Sequence, residues 1–424
     1  MLEGRNVLRN SLGTSEHFEG YSMEKIRVAL NGRASPPAEP YGPVRTQALS
    51  AAAIAAARTE IASWPGYAAT PLRTLPGLAT ELGLSALAYK DERGRFGLGS
   101  FKALGGAYAV MRVLVAELAR RGVKDQLTAA DFTSGRYGEL TRAITVTSAT
   151  DGNHGRSVAW GARMFGARAV IYIHETVSAA RGDAIAAYGA EVIRLSSGYD
   201  DSVRHAFAEA AKHGWFMVQD TATANYVDAP RDITAGYGVM AVEIMDQIGA
   251  PPTHVILPAG VGGLASAVTA QFWIGWGARR PKVIVLEPLR ADCVYQSIAN
   301  GRRTDVIGDL DTVMAGLSCG EVSTLAWEIL AGGANAGLAL DDAYALEGMR
   351  RFANPLPGDP AIVAGECSGG GLGALLALQH RPDLRQQLGL DATSQVLLIG
   401  TEGDTDPSIY HRVVGRTAQE VLAT

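Results

Sequence analysis

One lysine in this chain is placed for covalent chemistry. Lys102 follows Ser100 and Phe101 in the glycine-punctuated segment 95–108 and enters a predicted helix. A lysine that only carries surface charge does not need a glycine-rich segment before it. An amine held out of water, in contrast, is the group that forms an imine with a carbonyl cofactor. We therefore predict that Lys102 is catalytic.

A second candidate is the glycine-rich segment 258–264, which follows a predicted strand and leads into a helix near Leu264. Its glycines at 260, 262 and 263 let backbone N–H groups approach an anion, and the helix N-terminus adds partial positive charge. The segment predicts a phosphate-binding loop, although a tight turn without a ligand has the same composition. It lacks the lysine of a nucleoside-triphosphate loop and the spacing of a dinucleotide fingerprint, which argues against a nucleotide-dependent enzyme.

The segment 148–155 (Ser-Ala-Thr-Asp-Gly-Asn-His-Gly) places several polar side chains in one turn between a strand and a helix. Its backbone amides, with the hydroxyls of Ser148 and Thr150, can bind a substrate carboxylate, and Asp151 can exchange protons. Asn153 can reach a ring hydroxyl of a cofactor. The simpler interpretation is helix capping by Asp or Asn. The turn carries more polar groups than a cap needs, which favours a functional site.

Two further strand ends bring in polar groups. Asp220 ends the strand that contains Val218 and supplies a second acid, although an aspartate at a strand end is usually only a turn residue. Thr401 follows the last strand and can hydrogen-bond a heteroaromatic nitrogen. The acidic residues after it, at 402, 404 and 406, fit a solvated loop better than a cation site, so we predict no metal.

Composition limits the classes of function. The 424 residues are 47% hydrophobic and 19% charged, with a net charge of −5, which gives no electrostatic footprint for nucleic acid or an anionic membrane. No apolar run is long enough to span a bilayer. Three widely spaced cysteines without a CxxC pair favour a reduced, cytoplasmic setting. The length predicts two domains.

From Ala86 onward, buried strands alternate with helices, which predicts parallel sheets covered by helices on both faces, with ligands beyond the carboxyl ends of the strands. A further helix is predicted near Ser50–Ile61. The predicted strands are Ala143–Thr147, Ala169–Ile173, Glu191–Leu195, Trp215–Val218, His254–Leu257, Val283–Leu286 and Val396–Ile399. The predicted helices include Lys102–Arg120, Ser157–Phe165, Ala179–Tyr188, Asp201–Lys212 and Gly236–Ile248.

The motifs together resemble the fold-type II pyridoxal-phosphate enzymes, which are tryptophan synthase β-like two-domain α/β proteins. Within them the chain is most similar to the diaminopropionate ammonia-lyase family, and the likeness extends over nearly everything after about Pro65. The segments that carry it are Lys90–Lys102, Ser148–Arg156, Gln219–Ala222, Ala259–Gly262, Met314–Glu321 and Thr401–Asp406.

The resemblance implies a role for each candidate. Lys102 forms the imine with pyridoxal 5'-phosphate, and Asp151 and Asp220 are the catalytic acid/base carboxylates. The turn Ser148, Ala149, Thr150 and Asp151 receives the substrate carboxylate. Thr401 contacts the pyridine nitrogen and Asn153 the ring oxygen. The other cofactor-binding residues are Phe101, Gly260, Val261, Gly262, Gly263 and Leu264.

The resemblance also implies the architecture and the reaction. The large domain comprises residues 31–106 and 231–424, the small domain residues 107–230, and residues 1–30 form a leader in which Met23 is a possible native start. The expected reaction is β-elimination from 2,3-diaminopropionate to give pyruvate and ammonia, by a homodimer. The alternatives are a related lyase or dehydratase acting on serine, threonine or another β-substituted amino acid, and a non-catalytic protein that binds the cofactor.

One segment departs from the family pattern. After Asp220, Thr221 and Ala222 the family has Trp-Glu-Gly-Tyr, whereas this chain has Thr223, Ala224, Asn225 and Tyr226. Losing an aromatic ring and a carboxylate beside the acid can remove a contact to the distal amine of the substrate. This departure is the sequence reason for keeping the alternative substrates open.

Overall fold

The structure, a computed structural model, describes residues 25–196 and 198–423. Its strands are β1 (Ile26–Leu30), β2 (Leu72–Thr74), β3 (Ala86–Asp91), β4 (Thr145–Thr150), β5 (Arg168–Ile173), β6 (Glu191–Arg194), β7 (Phe216–Met217), β8 (His254–Pro258), β9 (Lys282–Pro288), β10 (Ala336–Leu340) and β11 (Gln395–Gly400). Short 3₁₀ helices lie at Glu92–Gly97, Gly277–Arg279 and Ala315–Leu317.

The α-helices surround these strands. In chain order the helices are α1 (Pro43–Ala48), α2 (Ala51–Ala62), α3 (Pro76–Glu81), α4 (Lys102–Arg120), α5 (Ala129–Thr133), α6 (Gly138–Arg142), α7 (Asn153–Phe165), α8 (Ala179–Ala186), α9 (Tyr199–His213), α10 (Asp228–Ile248), α11 (Gly263–Trp276), α12 (Cys293–Asn300), α13 (Thr324–Gly333), α14 (Asp342–Ala353), α15 (Glu366–Gln379), α16 (Pro382–Leu388), α17 (Pro407–Val414) and α18 (Ala418–Leu422). None of these helices combines the length and the apolar character that crossing a bilayer requires.

The strands form two sheets. The larger has the order β1-β10-β9-β8-β11-β3-β2, and the smaller has the order β6-β5-β4-β7. Every pair in the smaller sheet is parallel. In the larger sheet the five central strands are parallel, whereas the edge strands β1 and β2 pair antiparallel. The predicted parallel sheets are therefore confirmed, and the larger one carries an antiparallel strand at each edge.

All seven predicted strands form, with ends that differ by up to three residues. Most of their apolar runs are buried on both faces, as in β8, where every residue is buried, whereas the edge strand β6 is only partly buried. The predicted helix at Lys102–Arg120 is α4, and the other predicted helices lie in or overlap α2, α7, α8, α9 and α10. Strands β1, β2, β3 and β10 are not among the predicted strands.

The predicted leader, residues 1–30, reaches into the fold. Residues 1–24, which include Met23, lie outside the described part, but Ile26–Leu30 pair with β10 at the edge of the larger sheet. The division into domains stays a prediction. The smaller sheet lies within residues 107–230, while both boundaries of that range fall inside helices, α4 and α10.

Helix α4 is set against α10 by glycines. A Cβ on Gly105 would lie 2.4 Å from the Tyr237 Cε1 atom, and a Cβ on Gly236 would lie 2.3 Å from the Leu104 carbonyl oxygen. Only glycine permits this close approach of two helix backbones. The first turn of α4, which begins with Lys102, therefore has a fixed position relative to α10.

A buried ionic cluster holds the segment that precedes Lys102. Glu243 on α10 pairs with Lys90 at 2.8 Å and with Arg95 at 2.7 Å, and Arg95 also pairs with Glu92 at 2.8 Å. All four side chains are at most 2% exposed. Buried charges are tolerated only when they are paired and hydrogen-bonded. The cluster therefore connects β3 and α10 and fixes the chain as it approaches the lysine.

Candidate active site

The carboxyl ends of strands from both sheets border one cavity of about 310 Å³. This volume is typical of small-ligand sites. All but one of the predicted site residues line it. They are Phe101, Lys102, Ala149, Thr150, Asp151, Asn153, Asp220, Gly260, Val261, Gly262, Gly263, Leu264 and Thr401. The fold thus brings together segments that are up to 300 positions apart in the chain.

The Lys102 amine forms an ion pair with Asp220, with 2.7 Å between Nζ and Oδ2. Its side chain is 18% exposed, and Nζ lies 5.6 Å and 5.8 Å from the ring centres of Phe101 and Tyr237. Burial lowers the pKa of Lys102, but the attraction of Asp220 outweighs it and leaves that pKa well above its ordinary value. The amine is therefore protonated in this arrangement, and the adjacent carboxylate stabilises its charge.

Asp220 follows β7 and is buried. Burial raises the pKa of its carboxyl group, but the charge and the hydrogen bond of the nearby Lys102 ammonium outweigh this effect and bring the pKa down to about 2. His154 is itself buried, and its Nε2 lies 2.8 Å from the Val218 carbonyl oxygen. Burial lowers the pKa of His154, so its ring is neutral and Asp220 is ionised near neutral pH.

The glycine loop sits at the N-terminus of α11, whose first-turn amides have no partner within the helix. A Cβ on Gly260 would lie 3.0 Å from the Cys319 Sγ atom, and Gly262 has a φ of +91°. The close Cys319 side chain therefore explains glycine at 260, and the positive φ explains glycine at 262. The loop presents amides to the cavity beside the positive end of a helix, which is the arrangement that binds phosphate.

The turn after β4 supports both interpretations of its polar residues. The Thr150 hydroxyl accepts hydrogen bonds from the amides of Gly152 at 3.0 Å and Gly155 at 3.1 Å, so this side chain caps α7. Ser148 is fully buried, does not line the cavity, and donates to Gln219 at 2.9 Å. A carboxylate at this turn would therefore meet backbone amides and the Thr150 hydroxyl, whose hydrogen these two contacts leave free, but not the Ser148 hydroxyl.

The acidic segment after Thr401 separates into different environments. Asp404 pairs with Arg93 at 3.3 Å, and Asp406 accepts from the Ile409 amide at 3.1 Å and caps α17. Glu402 instead lines the cavity and accepts a hydrogen bond from the Asn153 side chain. In residues 25–196 and 198–423, no group of His, Cys, Asp and Glu side chains is arranged to hold a metal ion.

Several cavity residues were missed by the sequence reasoning. Arg181 on α8 pairs with Glu366 on α15 at 3.7 Å, which connects the two sheets across the cavity. Tyr237 presents a buried hydroxyl that has no hydrogen-bond partner among the described residues. Arg181 and Tyr237 lie on helices outside the recognised segments, and only the folded chain brings them to the cavity.

Known proteins share both the sequence and this architecture. A family model described as pyridoxal-phosphate dependent enzyme matches residues 63–401. The diaminopropionate ammonia-lyase of Salmonella typhimurium is 41% identical over 366 residues, covering 84% of this chain and 90% of that protein. The Escherichia coli K12 protein of the same name is also 41% identical, over 82% and 88%. The chain belongs to this pyridoxal-phosphate-dependent family.

Solved structures agree with the family assignment. Holo diaminopropionate ammonia lyase from Escherichia coli matches with a TM-score of 0.84 and 37% identity, covering 93% of this chain and 97% of that one. Threonine deaminase from Solanum lycopersicum, at 19% identity and a TM-score of 0.66, shares the fold. The prediction of a fold-type II pyridoxal-phosphate enzyme is thus confirmed.

The residues present fit the family's cofactor. The glycine loop leaves room that a Cβ would fill, with amides suited to a phosphate. The Lys102 amine is within the same cavity, and the Thr401 hydroxyl, 3.3 Å from the Ser368 hydroxyl, is an available neutral partner for a ring nitrogen. The individual role of each residue stays a prediction.

Proposed function

We propose that this enzyme eliminates the β-amino group of 2,3-diaminopropionate with the help of pyridoxal phosphate and yields pyruvate and ammonia. The observation that carries the proposal is the 2.7 Å ion pair of Lys102 and Asp220 in a cavity shared with Asp151 and the glycine loop. The choice of substrate is based on the relatives named diaminopropionate ammonia-lyase, which are 41% identical over most of their length.

The bound cofactor supplies an electron sink that makes the hydrogen on the α-carbon of the substrate acidic. Lys102 would hold the cofactor at its carbonyl carbon, and the free Lys102 amine would move protons at the α-carbon of the substrate. Asp220, whose Oδ2 lies 2.7 Å away, stabilises the ammonium form and returns the amine to the same position after each proton transfer.

Asp151 is the second base. Its carboxylate borders the cavity, where a Cβ on Gly316 would lie 3.7 Å from Oδ2. The backbone amides around Ala149 and Asp151 hold the substrate carboxylate and so fix which face of the α-carbon each base meets. Lys102 takes the α-proton from one face, and Asp151 takes it from the other face when the D-enantiomer is bound.

A related dehydratase or lyase acting on serine, threonine or another β-substituted amino acid is the alternative, and a non-catalytic cofactor-binding protein is a further one. The altered residues Thr223, Ala224 and Asn225 are exposed and do not line the cavity. The change from the family pattern therefore gives the alternative substrates little support. The carboxylates Asp151 and Asp220 in the cavity count against a role limited to binding, for which Lys102 alone is enough.

The test is the visible absorbance of the purified protein before and after addition of DL-2,3-diaminopropionate, with pyruvate assayed in the same sample. We expect a cofactor band and pyruvate release, and we expect the Lys102→Ala variant to lose both the band and the activity. The exposed lysine variant Lys124→Ala is the matched control and should retain both. A band without pyruvate, followed by turnover of serine or threonine, would instead assign the protein to a dehydratase activity.

We also propose that the enzyme is a cytoplasmic homodimer. The buried thiols of Cys293 and Cys367 form no disulfide within the described residues, which suits a reducing compartment. The dimer rests on the family resemblance. Light scattering coupled to size-exclusion chromatography tests it, since a 44.5 kDa chain should elute with twice that mass.

A further inference from the structure

Glu402 is a buried carboxylate on the wall of the active-site cavity. It directly follows Thr401, lines the cavity and is 4% exposed. Neutral donors surround it: the Asn153 side-chain amide, the Thr405 hydroxyl at 3.3 Å and the Cys367 amide at 3.4 Å. Its carboxylate therefore meets hydrogen-bond donors that neutralise none of its charge.

No ion pair of the described residues includes Glu402. The Arg181 guanidinium attracts it electrostatically, but the ion pair of Arg181 is made with Glu366, at 3.7 Å. A buried carboxylate without a paired cation is costly. A cation that arrives with a ligand would offset this cost.

The position of Glu402 is fixed by its surroundings. A Cβ on Gly365 would lie 2.7 Å from the Glu402 Cγ atom, so the side chain is pressed against a glycine that leaves just enough room for it. The Glu402 amide donates to the Ser368 hydroxyl at 2.9 Å, and its carbonyl accepts from the Gly365 amide at 3.0 Å. A group held this firmly is preorganised for a ligand.

The other carboxylates of the cavity are already engaged or lie apart. Asp220 is neutralised by Lys102, and Asp406 caps α17. Asp151 belongs to the turn that receives the substrate carboxylate, and Asp311 is exposed. Glu402 is thus the buried carboxylate that remains for a second positive charge.

We propose that Glu402 binds the β-ammonium group of the substrate and makes the cavity selective for 2,3-diamino acids over hydroxy amino acids. This inference rests on the proposed function. A β-ammonium group matches the carboxylate in charge and in hydrogen bonding, whereas the β-hydroxyl of serine offers one donor and no charge.

The contact also prepares the leaving group. A carboxylate beside the β-nitrogen keeps that nitrogen protonated, with three hydrogens. When the α-proton passes to its base, the Cα–Cβ double bond forms and the Cβ–N bond breaks. Its electron pair goes to a nitrogen that leaves as neutral ammonia. The step then needs no separate acid at the leaving group.

The test is Glu402→Gln, which keeps the shape and the Asn153 contact and removes the charge. We expect kcat/KM for 2,3-diaminopropionate to fall about 10- to 100-fold, the effect of losing one charge-assisted contact. The affinity for D- and L-serine, measured as KM or as the inhibition constant against diaminopropionate, should change less than about twofold. Asp404→Asn, which removes a charge two residues away that pairs with Arg93, is the control and should match the wild type.

A titration of the apoenzyme with pyridoxal phosphate completes the test, because Glu402 also contacts Asn153. The dissociation constant of the cofactor should be unchanged in Glu402→Gln. Equal losses for diaminopropionate and serine, or weaker cofactor binding, would overturn the inference while the wild-type activity on diaminopropionate upholds the proposed function. If wild-type enzyme releases no pyruvate from diaminopropionate, the proposed function fails and this inference fails with it.

Discussion

A carboxylate 2.7 Å from the Lys102 amine determines the protonation state of that amine. The pair holds a proton on the lysine. Asp151 has no such cation partner among the described residues. These two acids are therefore suited to different work, Asp220 to stabilising an ammonium and Asp151 to accepting a proton.

This difference predicts stereochemical behaviour. In Asp151→Asn, Lys102 remains as the base on its own face of the α-carbon. Turnover of the L-enantiomer should therefore stay within about tenfold of wild type. Turnover of the D-enantiomer should fall by about 10²- to 10⁴-fold, the usual contribution of a general base. Pyruvate release from the separate enantiomers measures this. Equal losses on both would show that Asp151 does not serve one face.

A second residue-scale prediction concerns pH. Burial, followed by the negative charge of Glu402, raises the pKa of Glu366 to about 7, while Arg181 opposes this rise and Asp406 adds to it. A carboxyl with a raised folded-state pKa contributes stability that is present below its unfolded pKa and is lost as pH rises through the folded value. The wild-type free energy of unfolding should therefore decline between about pH 5 and pH 8.

Glu366→Gln should remove that decline. The free energy of unfolding of the variant should therefore rise relative to that of the wild type by roughly 2–3 kcal/mol across this pH range. Urea denaturation at a series of pH values gives the difference. The exposed variant Glu328→Gln is the control and should follow the wild type. A parallel course of the Glu366→Gln and wild-type curves would contradict the prediction.

The sequence predicted those residues whose local motif alone indicates a physical role. Lys102 behind a glycine-rich approach, the glycine loop at a helix start and the polar turn after β4 all meet at the cavity. Glu402 was assigned to a solvated loop, because its partner Asn153 is 249 positions away and local pattern does not report such pairs. Ser148 belongs to the motif, and its hydroxyl donates to Gln219, so its role toward the substrate stays a prediction.

At the scale of elements, buried apolar runs predicted the smaller sheet and the central strands β8, β9 and β11 of the larger one. Strand β10 was missed because Ala336–Leu340 is rich in alanine and glycine, and its pairing with β9 and β1 determines that it is a strand. The edge strands β1 and β2 are short and antiparallel, and β1 lay in the stretch assigned to a leader. Long-range pairing of this kind has no local sequence signal.

The α4–α10 contact gives an element-scale prediction. In Gly236→Ala the new Cβ would lie 2.3 Å from the Leu104 carbonyl oxygen, so the helices must separate. We expect a loss of about 1–3 kcal/mol in the free energy of unfolding from overpacking. We also expect weaker cofactor binding, because Lys102 is two residues from the displaced backbone. Urea denaturation and cofactor titration measure both effects.

Gly94→Ala is the matched control, since a Cβ there meets no atom within 4 Å. It should leave the stability and the cofactor affinity close to those of the wild type. If Gly236→Ala were as stable as Gly94→Ala, the close approach of α4 and α10 would not be the feature that positions Lys102.

For the whole molecule, the cavity joins two sheets that share no strand pairing. Asn153 begins α7, which follows β4 of the smaller sheet. The glycine loop and Thr401 follow strands of the larger sheet. The pairs Arg181–Glu366 and Asn153–Glu402 are direct polar links across this boundary. A cofactor held by both sides adds a further link, so its binding should stabilise the molecule as one unit.

We therefore expect pyridoxal phosphate at about 100 times its dissociation constant to raise the free energy of unfolding by about 2.7 kcal/mol, with a single thermal transition. Pyridoxal, which lacks the phosphate, should give a clearly smaller rise at the same concentration because the amides of residues 260–264 have no anion to bind. Lys102→Ala should reduce the rise through loss of the covalent link. Scanning calorimetry of the apoenzyme with each compound measures these differences. Equal stabilisation by both compounds would contradict the phosphate role of the glycine loop, and two separate transitions would mean that the cofactor does not couple the sheets.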